Sequence, residues 1–473
     1  MARLPLTTAS YVARSLKASA QRCVNLYPEA NPADAPAPVT FYGTPGTEVW
    51  STLPGSGPVR CLYRASNGVL FAVQGMRLYR YDGLGSWIDL AGMATSTGPV
   101  NAADNGNSAV FVDGTLTAPT VNLGNYAVGA MSGDGWLGSA FVWFVDERLV
   151  FFQPGTQKYF WTGLLSLAID PLDFASAEGM PDPIVSMIAD HRELWFLGEE
   201  TMEVYSSSGD ATLPFVRYPA GFNHYGCEAK YSIAALDNTI YWLGKNKNGG
   251  RMVLRAQNYQ PQAISTPAIS EEFAKYDRVD DAIAWAYQQD GHPFYVLTFP
   301  SASKTWVYDV LTGQWHERAY RTAGNDLIRH RGNCAVFFGG ENLVGDFEDG
   351  RIYRLDLDVY SDDGAPIARQ KDFPHIVTEG RKQFFSRFTL DCEVAVGNPN
   401  DEDPQILLSW SDDGGNSWSN PIQMSLGRVG AYQTRARANR LGAARDRVWR
   451  VYTAAKAKVA FQGAFAEAAA GTS

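Results

Sequence analysis

Apolar and polar positions along this chain come in bursts. Seven short runs of aromatic and β-branched residues recur, each close to a turn. They are VLFAVQG from Val69, AVFVDG from Ala109, LVFFQPG from Leu149, LWFLGEE from Leu194, IYWLGKN from Ile240, FYVLTFP from Phe294 and AVFFGGE from Ala335. The steps between them are 40, 40, 45, 46, 54 and 41 residues. A repeat of that length matches one four-stranded blade of a β-propeller. The pattern predicts an all-β chain with a propeller of six or seven blades. Such a scaffold is rigid, so function is expected in loops, insertions or partner contacts.

Residues 56–367 carry the rhythm. The first repeat is the plainest: RCLYRAS, then Asn67-Gly68, a pair suited to a tight hairpin, then VLFAVQG and MRLYRYDG. One segment breaks it. In STPAISEEFAKY (265–276), Thr266 is placed as an N-cap and Pro267 as a first helical residue. This predicts a short helix and accounts for the longest step. Residues 1–55 hold few strand-like runs and the proline-rich NPADAPAPV, which predicts an extended arm. Residues 368–473 read as a separate, platform-like β-sandwich from RFTLDCEVAV, QILLSWS, AYQTRARANRL and DRVWRVYTA, with the N-terminal arm expected to pack on it.

Composition narrows the class. At 45% hydrophobic, 13% aromatic and 19% charged residues, a 473-residue chain can bury large cores and is not globally disordered. Cys23, Cys61, Cys227, Cys334 and Cys392 are odd in number and far apart, which argues against a disulfide framework or a cysteine-rich zinc site. A reducing compartment is the expected setting. The N-terminus lacks the apolar stretch of a signal peptide, and no run approaches the ~18–20 residues that span a bilayer. Synthesis in the cytoplasm, without membrane insertion, is expected.

The net charge is −10, unevenly placed. From Arg369 onward there are 14 Lys and Arg against 11 Asp and Glu; before it, 26 against 39. Residues 428–458 alone carry nine basic side chains and one acidic, Asp446. Alternation puts Arg435 and Arg437 on one strand face, and Arg445 and Arg447 repeat the pattern. These four are the candidate assembly residues, since arginine suits fixed contacts to carboxylate or phosphate. A merely solvated face is the competing reading.

Catalytic patterns are weak. Glu199-Glu200 and Glu271-Glu272 are adjacent in sequence, and neighbours on a strand point to opposite faces. The six histidines stand singly, without HExxH or HxH spacing, and there is no GxSxG elbow or phosphate-binding loop. GDGWLG (133–138) spells GxGxxG but is followed by the strand-like FVWFV where a helix would be needed. No catalytic residue, metal site or cofactor is assigned. The sharpest local match is Ser411-x-Asp413-x-Gly415-x-x-Trp418, an Asp-box-like turn expected to be structural, with the carboxylate accepting turn amides and Trp packing beneath.

Several longer strings carry a resemblance: QRCVNLYPE (21–29), FYGTPGTE (41–48), LWFLGEETMEVYSSSGD (194–210), HYGCEAKYSIAALDNTIYWLGKNKNGGRMVLR (224–255), QAISTPAI (262–269), SWSDDGGNSWS (409–419) and GAYQTRARANRLGAARDRVWRV (430–451). In order and number they resemble the packaged-DNA-stabilisation family of short-tailed, Lederbergvirus-type phages, the tail hub or nozzle proteins. The resemblance implies a structural virion tail protein that is not an enzyme. It implies a homohexamer below the portal and its adaptor ring that closes the DNA exit channel and carries needle, spike or fibre proteins. Double-stranded DNA would pass without sequence-specific binding, since acidic walls repel phosphates, and six copies would carry about −60. The basic 428–458 stretch is then expected at an interface rather than in the lumen. The alternatives are a sialidase-like propeller glycosidase and a propeller that binds host glycans.

Overall fold

The computed structural model describes residues 2–4, 12–246, 248–378 and 380–471, with side chains from Val12 onward. The chain forms two compact units. One comprises Val49–Ser303 and Arg331–Arg354; the other comprises Met1–Glu48, Lys304–His330 and Leu355–Ser473. The first holds 18 Lys and Arg against 29 Asp and Glu, net −11; the second holds 22 against 21, net +1.

The first unit is a succession of antiparallel sheets, each built from consecutive strands. Four of them are four-stranded: Val59–Arg64 to Trp87–Gly92, Asn101–Asp104 to Val128–Ala130, Val142–Val145 to Phe174–Ser176, and Ile184–Asp190 to Phe215–Arg217. In the fifth, Tyr225–Cys227 and Ala234–Leu236 both pair with Thr239–Asn246, followed by Arg251–Gln257 and Gln260–Ala263. Ile283–Gln289 with His292–Phe299 begins the sixth repeat, and Gly332–Phe338, Glu341–Asp346 and Arg351–Asp356 build the seventh. Seven repeats are therefore present among the described residues. The N-terminal strand Gly46–Thr52 lies beside Arg351–Asp356, and the Leu53 N–H donates to the Gly350 carbonyl at 2.8 Å. The last sheet is thus completed by the first strand of the unit.

Six of the seven apolar runs are the second strands of their sheets. These strands are buried on both faces, as in Leu70–Gln74 and Arg148–Phe152, where every residue is buried. That is why they read as continuous apolar runs rather than alternations. The seventh run is the exception. AVFFGGE falls in Gly332–Phe338, a first strand that is mostly half-buried, while the second strand is Glu341–Asp346. The helix forms at Pro267–Ala274; Thr266 Oγ1 accepts from the Ile269 N–H at 3.4 Å, and Ile269 and Phe273 are fully buried. It occupies the long 54-residue step.

The second unit is a β-sandwich. One sheet runs Leu26–Ala30, Val39–Gly43, Ala460–Ala470, Gln383–Cys392, Arg437–Asn439. The other contains Lys304–Asp309, Gln314–Arg321, Cys23–Val24, Arg369–Asp372, Asp446–Thr453, Gln405–Ser411 and Ile422–Ser425 in that order. The arm is woven into both. Cys23 and Val24 pair antiparallel with Lys371 and Gln370, and Val24 pairs parallel with Glu317. Asn25, at φ +52, donates to the carbonyls of Ala319 and Ala368, both at 2.8 Å. Trp449 sits in the core with the Phe388, Phe385 and Trp410 rings at 5.0, 5.6 and 5.8 Å. The sequence reading divides the chain at 55 and 367; by compactness, residues 304–330 group with the sandwich instead.

Candidate assembly surface

The basic stretch divides sharply once folded. Arg437–Asn439 pairs with Gln383–Cys392, with Arg437 opposite Thr389. Ala436 and Ala438 point into the sandwich core, so Arg435 and Arg437 point out. The alternation read from the sequence holds here. Arg428 and Arg440 are exposed as well. The side chains of these four arginines make no hydrogen bond or ion pair with any described residue.

The alternation breaks at the next pair. Ala443–Ala444 pairs with one sheet, whereas Asp446–Thr453 pairs with strands of the other, so Arg445 occupies a corner. It is exposed, and its guanidinium donates to the Gly380 carbonyl at 2.7 Å. Arg447, by contrast, is 1% exposed. It donates to Asp412 through Nε at 2.6 Å and through an η nitrogen at 2.7 Å, and to the Leu441 carbonyl at 2.5 Å. The Phe385, Trp449 and Trp410 ring centroids lie 4.5, 5.1 and 5.2 Å from its guanidinium carbon. Arg447 is therefore a core cation; placing it on one face with Arg445 is corrected. Arg450 is half-buried and engaged within the unit, forked onto buried Asp372 at 2.7 Å for both bonds and stacked 3.5 Å above the Trp418 ring.

The Asp-box-like turn explains how Asp412 reaches Arg447. Asp413 accepts from the Ser411 hydroxyl at 2.6 Å, the Ser417 hydroxyl at 2.6 Å and the amides of Ser417 and Asn416 at 2.9 and 3.0 Å. Those bonds, the Ser411 hydroxyl foremost, hold its carboxyl well below the usual carboxylate range. Gly415 has φ +101, a region that favours glycine. The turn fixes the tip of the hairpin, and Asp412 is presented from it. Trp418 is only half-buried and serves as a platform for Arg450.

One part of the surface was not singled out in the sequence. The loop after Gly427 exposes Val429 (74%) and Tyr432 (78%), between Arg428 and Arg435. It is a shaped loop: Gly427 (φ +92) and Gly430 (φ +81) set its corners, and the amides of Ala431 and Thr434 close turns onto Arg428 and Ala431. A tyrosine among arginines is a recurrent composition of protein interfaces. Two closely spaced glycines, Gly427 and Gly430, with Val429 between them and Tyr432 just beyond, were the available signal.

A seven-repeat β-propeller unit and a β-sandwich unit with an exposed arginine-tyrosine surface define a two-unit, all-β scaffold. The chain matches the bacteriophage P22 Gp10 beta-propeller family over residues 2–360 and the bacteriophage P22 Gp10 beta-sandwich family over residues 368–469. It belongs to the bacteriophage P22 Gp10 family, and is thereby a structural component of a phage tail. No curated protein matches it. Similar solved structures include the WD40 beta propeller domain of Doa1 (10% identity, TM-score 0.41, 66% of this chain and 97% of that one). Another is the extracellular domain of the putative one-component system BT4673 from B. thetaiotaomicron (11%, TM-score 0.45, 80% and 47%).

Proposed function

We propose that the chain is a non-enzymatic, ring-forming connector of the virion tail. It assembles as a homohexamer beneath the portal and adaptor ring, lines and closes the DNA exit channel, and anchors needle, spike or fibre proteins distally. The single observation that carries the assembly role is the exposed group Arg428, Arg435, Arg437 and Arg440 around Val429 and Tyr432. Desolvating those guanidinium groups is favourable only against fixed acceptors, and the tyrosine and valine supply apolar contact at the same place. The partner face is a carboxylate-bearing protein surface of the neck or of a neighbouring copy.

The charge division supports the conduit role. A propeller unit at net −11 repels phosphates, whereas clustered lysine and arginine would hold a duplex in place. The deciding experiment is cryo-electron microscopy of intact particles together with native mass measurement of the purified chain, alone and mixed with neck proteins. Six copies on the portal axis, with the 428–440 surface covered by protein, is the expected result. Density placing the chain away from that axis, or the arginines facing the lumen, would overturn the reading.

A further inference from the structure

We propose that the exposed arginine-tyrosine surface of one copy is covered by a leucine-bearing loop, residues 162–173, on the propeller unit of a neighbouring copy. This rests on the connector reading and names the partner which that reading leaves open.

The loop differs from its equivalents. It joins the third strand of the third sheet, Lys158–Trp161, to the fourth, Phe174–Ser176. In the first, second, fourth and fifth sheets the same connection is 82–86, 123–127, 208–214 and 258–259, two to seven residues against twelve here. Long connections on a rigid scaffold are where binding surfaces are carried. Leu167 and Ile169 pack against the core beneath, whereas Leu164, Leu165 and Leu172 are exposed at 59%, 47% and 82%. The exposure does not come from slack chain. The Leu165 N–H donates to the Glu147 carbonyl at 2.7 Å, and Leu165 has φ +48, a conformation that persists for such a residue only where its surroundings impose it. The Asp170 carboxylate accepts from the Leu172 N–H at 2.9 Å, and the Asp173 N–H donates to the Asp170 carbonyl at 2.9 Å. Three leucines on one shaped loop gain free energy once a partner removes them from water.

The surrounding charge selects that partner. Asp134, Glu147 and Asp170 are exposed beside these leucines. Glu147 is brought there by its bond to Leu165. Asp134 is brought there by Gly135, which sits so close to Ile169 that a Cβ would lie 2.6 Å from its carbonyl oxygen. Lys158 lies 3.9 Å from the Phe174 ring centroid, and Arg148 is buried with its guanidinium on the Thr162 carbonyl, so carboxylates dominate the exposed rim. The sandwich surface is the reverse: Val429 and Tyr432 flanked by Arg428, Arg435, Arg437 and Arg440. Opposite potentials fix register and exclude wrong partners, and the apolar centres supply the buried area. Every copy owns both faces, so the contact is heterologous, and such contacts propagate from copy to copy until a ring closes.

The test exchanges the charges. Three full-length variants are mixed with neck proteins and followed by native mass measurement and sedimentation: Arg435→Glu with Arg437→Glu, Asp134→Arg with Glu147→Arg, and all four together. Glu147→Arg keeps its turn, because Arg192 holds the same place in the fourth sheet at φ +65. Each paired reversal should weaken assembly at least roughly tenfold, and the fourfold exchange should return it to within about threefold of the wild type. Leu172→Ser should cost roughly tenfold with an unchanged melting temperature, and it decides if a reversal lowers that temperature. Unimpaired assembly of Leu172→Ser would overturn the inference. Loss with the arginine pair alone, or with both pairs and no return in the fourfold exchange, would put another protein on the arginines; the inference falls and the connector reading stands. Loss with the loop pair alone, or with neither, would overturn the inference and remove the arginines from assembly as well.

Discussion

Asp412, carried on an exposed turn, grips the buried guanidinium of Arg447 through two hydrogen bonds of 2.6 and 2.7 Å. The cation belongs to the sandwich core and the carboxylate reaches it from the rim. Removing one partner of such a pair strands the other. Arg447→Ser should destabilise the sandwich by about 3 kcal/mol or more. Asp412→Ala should cost less, about 1–2 kcal/mol, because water can reach the vacated side. Urea unfolding followed by tryptophan fluorescence measures both.

The outward arginines should behave in the opposite way. Replacing Arg428, Arg435, Arg437 and Arg440 together with serine should shift monomer stability by no more than about 0.5 kcal/mol per site. Assembly with the neck or into a ring should weaken, most at low salt, because high salt already screens the wild-type contacts. Analytical ultracentrifugation at two ionic strengths separates the effects. Unchanged assembly would favour a solvated face.

Glu317 links the arm to the sandwich. It is buried and accepts from Arg22 through both carboxylate oxygens at 2.8 Å, with Lys304 at 3.1 Å. Burial works to raise its pKa, but the Arg22 hydrogen bond and charge, aided by Lys304, bring the net shift below the ordinary value. A depressed carboxyl stabilises the fold above its unfolded-state pKa, near 4.3, and that contribution disappears as pH falls through the folded value. Stability should therefore decline below about pH 4, and Glu317→Gln should flatten that limb of the pH profile.

The thiols should be inert in the native state. Cys23, Cys61 and Cys227 are buried and unpaired, and burial pushes their pKa values up to about 11, about 12 and about 12. Thiolate is then scarce at neutral pH. Ellman's reagent should label these three only after unfolding. Fast labelling in native buffer would contradict the burial.

The sequence revealed the blades because second strands are sealed on both faces, a condition that forces uninterrupted apolar runs such as Leu149–Phe152. The seventh run departs from that rule, since Gly332–Phe338 is a first strand that is rich in aromatic and β-branched residues while only half-buried. The helix cap at Thr266 was legible because capping is local chemistry. The fate of Arg447 was not. Which way a side chain points after a corner depends on the sheet that claims the next strand, and that partner, Gln405–Ser411, lies some forty residues earlier.

The junction at Leu53 and Gly350 has a bearing on biosynthesis. A ribosome must add nearly three hundred residues after the first partner emerges before the second exists to receive it. Until then the opening strand of the propeller has an unsatisfied edge, and Cys23 and Val24, which await Lys371 and Gln370, wait longer still. Contacts so far apart along the chain close slowly. The nascent polypeptide therefore depends on late translation to silence its earliest sticky segments, and a chain cut short before residue 350 should aggregate rather than persist as a smaller propeller.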